Sequence, residues 1–235
     1  MNKQTFLTLL ATFALLFSFT FSCHAKGKDK AKHVVFIGLD GWGAYSLPKA
    51  DMPNVKKLME DGAYTLKKRS ALPSSSAINW ASMFMGAGPE LHGYTEWGSK
   101  TPELPSRVLN KNGIFPTVFQ LLRDARPEAE IGCLYEWEGI KYLVDTLSLS
   151  YHYHVADCNK TPKELGNMAS SYIKEKHPAL VAICYDGPDH TGHTAGHDTP
   201  EYYEKLKELD VYVGQIVQAV KDAGMLDDTI FILTS

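Results

Sequence analysis

The sequence predicts an α/β fold with a mostly parallel central sheet and helices on both of its faces. Two observations carry that expectation. The runs His33 to Gly41, Ala179 to Tyr185 and Thr229 to Ser235 are nearly continuously apolar, as strands buried on both faces are; a strand with one wet face would alternate. Helical segments of ten or more residues separate these runs, and strands alternating with helices imply βαβ units.

In order along the chain, His33 to Gly41 is the first strand, ending in Asp40 and a glycine. Met52 to Gly62 is a short helix with Val55, Leu58 and Met59 on one face and Gly62 as its stop. Tyr64 to Leu72 reads as a strand, Ser76 to Met85 as a helix after Pro73 and a serine triplet, and Gly86 to Gly93 as a loop. Phe115 to Arg126 is an amphipathic helix, Glu130 to Trp137 a strand, Gly139 to Val144 a short helix, and Tyr151 to Val155 an aromatic-rich segment of ambiguous strand character. Thr161-Pro162-Lys163-Glu164 has the form of a capping box and opens a helix to about Lys176. After the central strand, Thr199-Pro200 reads as the cap and first turn of a helix reaching Gly224. The chain stops on its last strand, so the expectation is a C-terminally truncated piece of a longer domain.

Residues 1–25 stand apart from the fold. Lys3 followed by the uncharged apolar run Phe6 to Phe21 is the pattern of a signal peptide, with Cys23 and Ala25 as small residues before a cleavage point. The run is shorter than a spanning helix, so a secreted or periplasmic protein without a transmembrane helix is expected. A lipid anchor at Cys23 is the second reading. Residues 26–32 form a lysine-rich linker, and 33–235 the partial catalytic domain. Removal of the first segment leaves 23 basic and 27 acidic residues, a net charge of −4. No basic stripe exists, which excludes binding of a nucleic-acid duplex by phosphate neutralisation. Cys133 and Cys184 lie in apolar runs and read as small buried hydrophobes, and there is no CxxC spacing. A metal site here is therefore built from oxygen and nitrogen donors.

The chemistry centres on Asp189-His190-Thr191-Gly192-His193, just past the central strand and read as a loop before the next helix. In open α/β sheets that edge binds ligands. Asp189 and His193 can converge on a divalent cation such as zinc through a carboxylate oxygen and an imidazole nitrogen. Asp40 ends the first strand and opens on the same edge. One of Ser74, Ser75 and Ser76 serves as a helix N-cap, and one is a candidate nucleophile: a helix N-terminus favours an alkoxide and an incoming anionic phosphate.

Asp40-Gly41-Trp42, Met52-Pro53-Asn54, Ser76-Ala77-Ile78-Asn79, Gly86-Ala87-Gly88-Pro89-Glu90-Leu91-His92-Gly93 and Asp189-His190-Thr191-Gly192-His193-Thr194-Ala195-Gly196 resemble successive motifs of the alkaline phosphatase superfamily. The branch they resemble most is the type I phosphodiesterase/nucleotide pyrophosphatases, from about residue 33 to Ser235. The resemblance implies an alkaline-phosphatase-like domain with two zinc ions about 4 Å apart, other divalent metals being alternatives, that clamp the attacking and leaving oxygens. Asp40 and Ser76 match the ligands of one ion, Asp189 and His193 those of the other. The motif spacing selects Ser76 as the nucleophile, and Asn79 as donor to a phosphate oxygen. His92 reads as structural. The last strand resembles the one leading into an Asp-His-Gly that completes the first metal site, so the 235-residue piece is expected to bind metal poorly and to be inactive.

Where the branch has threonine this chain has Ser76; its Phe-Pro is Ala77-Ile78 here, and a proline is replaced by His197. The implied substrate is a small phosphate monoester, phosphodiester or nucleotide pyrophosphate, cleaved through a phosphoserine. Two alternatives stand beside this: a non-catalytic periplasmic binding domain on the same scaffold, and a phosphotransfer mutase. Trp80, Tyr94, Trp97, Trp137 and Tyr151 to Tyr153 have two readings: core packing, the more common role, or an aromatic slot that stacks on a base or aromatic leaving group.

Overall fold

The computed structural model describes residues 31–156 and 161–235. The predicted signal peptide, Cys23 and Cys158 lie outside the described residues. Five strands, β1 (His33–Leu39), β2 (Ile131–Tyr135), β3 (Tyr151–His154), β4 (Leu180–Tyr185) and β5 (Thr229–Thr234), form one sheet in the order β3-β2-β4-β1-β5. Every pairing is parallel, so all C-terminal strand ends share one edge. In register, Leu39 sits beside Tyr185, and Gly38 beside Thr234.

Alternation along β1 shows why the run is apolar throughout. Val35, Ile37 and Leu39 face one layer, made with α1 (Pro53–Asp61), α5 (Lys163–Lys176) and α7 (Pro200–Asp222). Val34 and Phe36 face the other, made with α2 (Ser76–Met85) and α4 (Val118–Ala125). Helices thus cover both faces. Cys133 and Cys184 are free thiols buried in β2 and β4, the small-hydrophobe role expected of them.

Local chemistry sets most boundaries. The Thr199 hydroxyl accepts from Tyr202 N and caps α7, with Pro200 in its first turn. Thr117 caps α4 in the same way. The Met52-Pro53-Asn54 segment anchors one helix to another. Asp210 of α7 accepts from the backbone N–H groups of Asn54 (3.0 Å) and Val55 (2.8 Å) and from the Asn54 amide (2.8 Å). A carboxylate from a distant helix therefore answers the positive end of α1.

Four expectations need correction. Residues 64–72 form no strand; the stretch is irregular, with residues 64–70 and Leu72 exposed so that no buried face fixes a register, and the basic run Lys67-Lys68-Arg69 lies outside the sheet. The stretch 86–93 is not all loop, since α3 (Pro89–His92) forms one turn between Gly88 and Gly93. Helix α5 starts at Lys163 with Pro162 at its cap position and no side-chain cap bond, so the capping-box geometry is not realised. Finally, Asp189 and His193 lie on α6 (Gly187–Ala195), a helix and not a loop.

Candidate active site

The sequence-predicted residues meet at the C-terminal edge of the sheet. Asp40, Ser76, Asn79, Asp189 and His193 all line one open cavity of about 1370 Å³. Backbone contact between the β1 end and α6 makes this meeting happen. Gly41 has φ +70, and a Cβ there would lie 2.6 Å from the Asp189 Cα. Any side chain would be both strained and blocked, so glycine lets the two acidic segments touch. Gly38 does the same one layer down, where a Cβ would overlap the Trp80 ring at 2.1 Å.

Trp80 uses that space to reach Asp40. Its indole Nε1 donates to Asp40 Oδ2 at 2.9 Å, and the Ser76 side chain stands near the same carboxylate. Burial pushes the Asp40 carboxyl above its ordinary range; the Trp80 bond and the nearby Ser76 hydroxyl pull it down, and the charge of Asp189 pushes it up. Among the three serines, Ser75 occupies the N-cap position of α2 but its buried hydroxyl has no partner, and Ser76 opens the helix facing Asp40. Ser76 is thus the serine that combines the motif spacing with a place beside the carboxylate.

Asp189 and His193 are four residues apart on α6, hence on one face. His193 Nε2 lies 3.4 Å from Asp189 Oδ2, with the imidazole largely exposed. Glycines at 187, 192 and 196 mask this helix in the sequence; in the fold its backbone bonds close (His190 N to Asp186 O, 3.1 Å), and Gly192 gives room to the His197 ring.

Asn79 lines the cavity, but its amide is engaged with backbone. Its Oδ1 accepts from Ala71 N at 2.7 Å, and its Nδ2 donates to Ser75 O at 3.0 Å and Ala71 O at 3.4 Å. In this arrangement Asn79 fixes the serine segment from below. His92 is fully buried: Nδ1 accepts from Tyr94 N at 3.1 Å, which leaves Nε2 protonated to donate to Ser82 Oγ at 3.0 Å. Burial lowers its pKa, so it sits neutral beneath the site, the structural part expected of it.

Two acids carry no motif and emerge only from the fold. Asp186 follows β4, and its carboxyl is pushed up to about 7 by burial and by the charges of Asp40 and Asp189. Glu136 follows β2; its Oε2 accepts from Asp186 N at 2.6 Å, and burial pushes it up to about 7 as well. Each follows a buried strand on the ligand edge, but only the pairing of β2 with β4 brings those two strand ends together. Lys68 is the basic group set near Asp40, and it donates to the carbonyl of Ser235.

The donor set fits a zinc pair in kind. Carboxylate, imidazole and hydroxyl are oxygen and nitrogen ligands suited to zinc, and Asp40 and Asp189 are close enough for each to oppose the other's ionisation, which a bound cation relieves. In number it is sparse. The described residues gather no group of three or more His, Cys, Asp or Glu side chains around one point.

A parallel sheet whose C-terminal edge joins an aspartate, a helix-opening serine and an Asp/His helix has the architecture of the alkaline phosphatase superfamily. Within it, the family model of type I phosphodiesterase/nucleotide pyrophosphatase matches residues 34–235, and the chain belongs to that family. It is 25% identical over 218 residues to bis(5'-adenosyl)-triphosphatase enpp4 of Mus musculus, covering 88% of this chain and 47% of the relative. It is 23% identical over 201 residues to ectonucleotide pyrophosphatase/phosphodiesterase family member 1 of Mus musculus, covering 81% of this chain and 22% of the relative. Murine ectonucleotide pyrophosphatase/phosphodiesterase 5, solved as an inactive variant in complex with AMP, superposes with a TM-score of 0.66 at 17% identity, over 86% of this chain and 56% of that one. The chain spans about half the length of the first of these relatives and less of the second. Among the described residues no helix is long and apolar enough to cross a membrane.

Proposed function

We propose that the protein is an exported, zinc-dependent phosphohydrolase that cleaves small phosphodiesters, nucleotide pyrophosphates or phosphomonoesters through a phosphoserine at Ser76. The observation that carries this is the place of Ser76 at the first turn of α2, beside the Asp40 carboxylate and in the same cavity as Asp189 and His193. Family membership supports the hydrolase class, because the relatives are phosphodiesterases and pyrophosphatases by name.

Asp40 and Ser76 would hold one zinc, Asp189 and His193 the other. When bound, the metals supply Lewis acidity toward the attacking and leaving oxygens and make the Ser76 hydroxyl more acidic. The chain's own residues do the rest. Trp80 fixes Asp40 beside Ser76, and Asn79 holds the serine segment in register. Ser76 Oγ forms the bond to phosphorus as the ester oxygen leaves, the Ser76 proton passing to the leaving alcohol; water then cleaves the phosphoserine, its oxygen staying on phosphorus and one of its protons going to Ser76 Oγ. The α2 N-terminus adds its partial positive charge where phosphate oxygens gather. Asn79 acts as a phosphate donor only if substrate draws its amide from Ser75 or Ala71.

With two donors to each ion, where catalytic zinc takes three from protein, the 235-residue chain alone is expected to hold metal weakly and turn over poorly. The test is zinc content and hydrolysis of p-nitrophenyl mono- and diesters by the full-length protein and its Ser76→Ala variant. Two zincs, with turnover lost in the variant, support the reading. Metal-free protein without turnover would leave a scaffold that binds and does not cut.

A further inference from the structure

His197, which stands where the branch has proline, has a defined place in the fold. Gly196 turns the chain back after α6 with φ +96, and the His197 ring folds onto that helix. A Cβ at Gly192 would lie 2.1 Å from the His197 Cε1 and 2.3 Å from its Nε2, so ring and helix backbone touch. The same imidazole meets Tyr202 edge to face, with ring centroids 5.3 Å apart at 63°.

Tyr202 carries the contact to the other half of the site. It is fully buried in the first turn of α7. There the Thr199 hydroxyl accepts from its backbone N–H at 3.3 Å and donates to Gly196 O at 2.8 Å. The Tyr202 hydroxyl donates to Gly41 O at 2.7 Å and accepts from Gly43 N at 3.0 Å. It clasps the loop that directly follows Asp40. Burial holds the phenol well above its ordinary range, so it keeps the proton that Gly41 O accepts.

A chain of contacts therefore runs from the α6 backbone through His197 and Tyr202 to the loop after Asp40. Gly41 already touches the Asp189 backbone, but two segments that meet at one point can still pivot about it. A second route between them removes that freedom. We propose that Tyr202, braced by His197, is a positioning residue that fixes the Asp40 loop against α6, so that the two metal positions bind zinc cooperatively. The cooperativity rests on the zinc-dependent reading of the site; the brace does not.

The first test needs no metal. Amide hydrogen exchange is followed by mass spectrometry in the full-length, metal-free protein, in Tyr202→Phe, which removes only the hydroxyl, and in His197→Ala, which removes the ring. Each variant is expected to speed exchange about tenfold in the segment it does not touch: Tyr202→Phe in α6, His197→Ala in residues 41–43. His197→Phe, with a ring and no ligand nitrogen, should exchange as the unaltered protein does. Loosening confined to each variant's own segment overturns the brace, as does His197→Phe behaving like His197→Ala.

The second test titrates zinc against a competing chelator. Each single variant should raise the Kd of the second zinc about tenfold and leave that of the first within about twofold. Because both substitutions cut one brace, the double variant should also stay near about tenfold. No loss in the single variants, a loss of about 100-fold in the double variant, or equal loss at both zincs overturns the proposal. Crossed loosening in a protein that takes up no zinc keeps the brace and removes the zinc-dependent reading.

Discussion

The two halves of the site are built differently. Asp40 and Ser76 lie at the junction of β1 and α2, held by an indole from the core, by a neighbouring helix turn and by a glycine contact that fixes the backbone. Asp189 and His193 stand on a nine-residue helix, paired with each other at 3.4 Å and with the imidazole turned to solvent. The first half is set before any ligand arrives; the second has its spacing fixed by the helix and its side-chain directions left to the ligand. A nucleophile needs the first kind of environment, because a small displacement of the attacking oxygen costs rate steeply.

This contrast can be broken by substitution. Ser76→Ala should lower turnover by roughly 10⁴-fold or more with folding intact, since its hydroxyl is the one placed beside Asp40 at the helix start. Thermal unfolding alongside kinetics checks both parts. Asp40→Ala and His193→Ala should each cost on the order of 100-fold in activity, at least the loss usual for a residue that supports a metal. They differ in rescue: millimolar imidazole should restore His193→Ala through its open position, whereas acetate should not restore Asp40→Ala. Rescue of both, or of neither, would contradict the asymmetry.

Glu136→Gln sharpens the comparison on the second half, where Glu136 accepts from the backbone of Asp186. The Glu136 carboxyl is raised from 4.5 to about 7, so the unfolded chain loses its proton first as pH rises. Stability of the metal-free protein should therefore fall between pH 4.5 and about 7, by up to roughly 3 kcal/mol from this group. The amide variant should flatten that part of the stability profile, measured by denaturant unfolding across the range. Trp80→Phe is the mildest change, keeping a ring in the core while removing the donor to Asp40. It should cost roughly 10- to 100-fold in activity or metal affinity, read by titration of zinc.

Much of this is legible in the sequence, for reasons visible in particular residues. Unbroken apolar runs betray β1 and β4 because strands covered on both faces have no wet side; β5 reads the same way, yet Ile230 and Ile232 are exposed on this edge strand. Motif spacing singles out Ser76, and its place at the first turn of α2 fits. Sequence and structure part where local preference yields to tertiary contact. Gly187, Pro188 and Gly192 look like loop, yet proline suits a first helical turn and Gly192 is needed beneath His197. Residues 64–72 carry strand-like chemistry but pair with none of the five strands, and their side chains are almost all exposed, so no buried face fixes a register. Glu136 and Asp186 become notable only when two strand ends, distant in sequence, stand side by side. The tie of Asp210 to the start of α1 is invisible for the same reason.

The most direct test of the account is chemical identification of the reacting atom. The full-length protein, mixed with excess phosphate ester and quenched in acid, should yield a peptide phosphorylated at Ser76, absent when Ser76→Ala is treated alike. Turnover with the phosphoryl group on another residue, or undiminished turnover in Ser76→Ala, would contradict it.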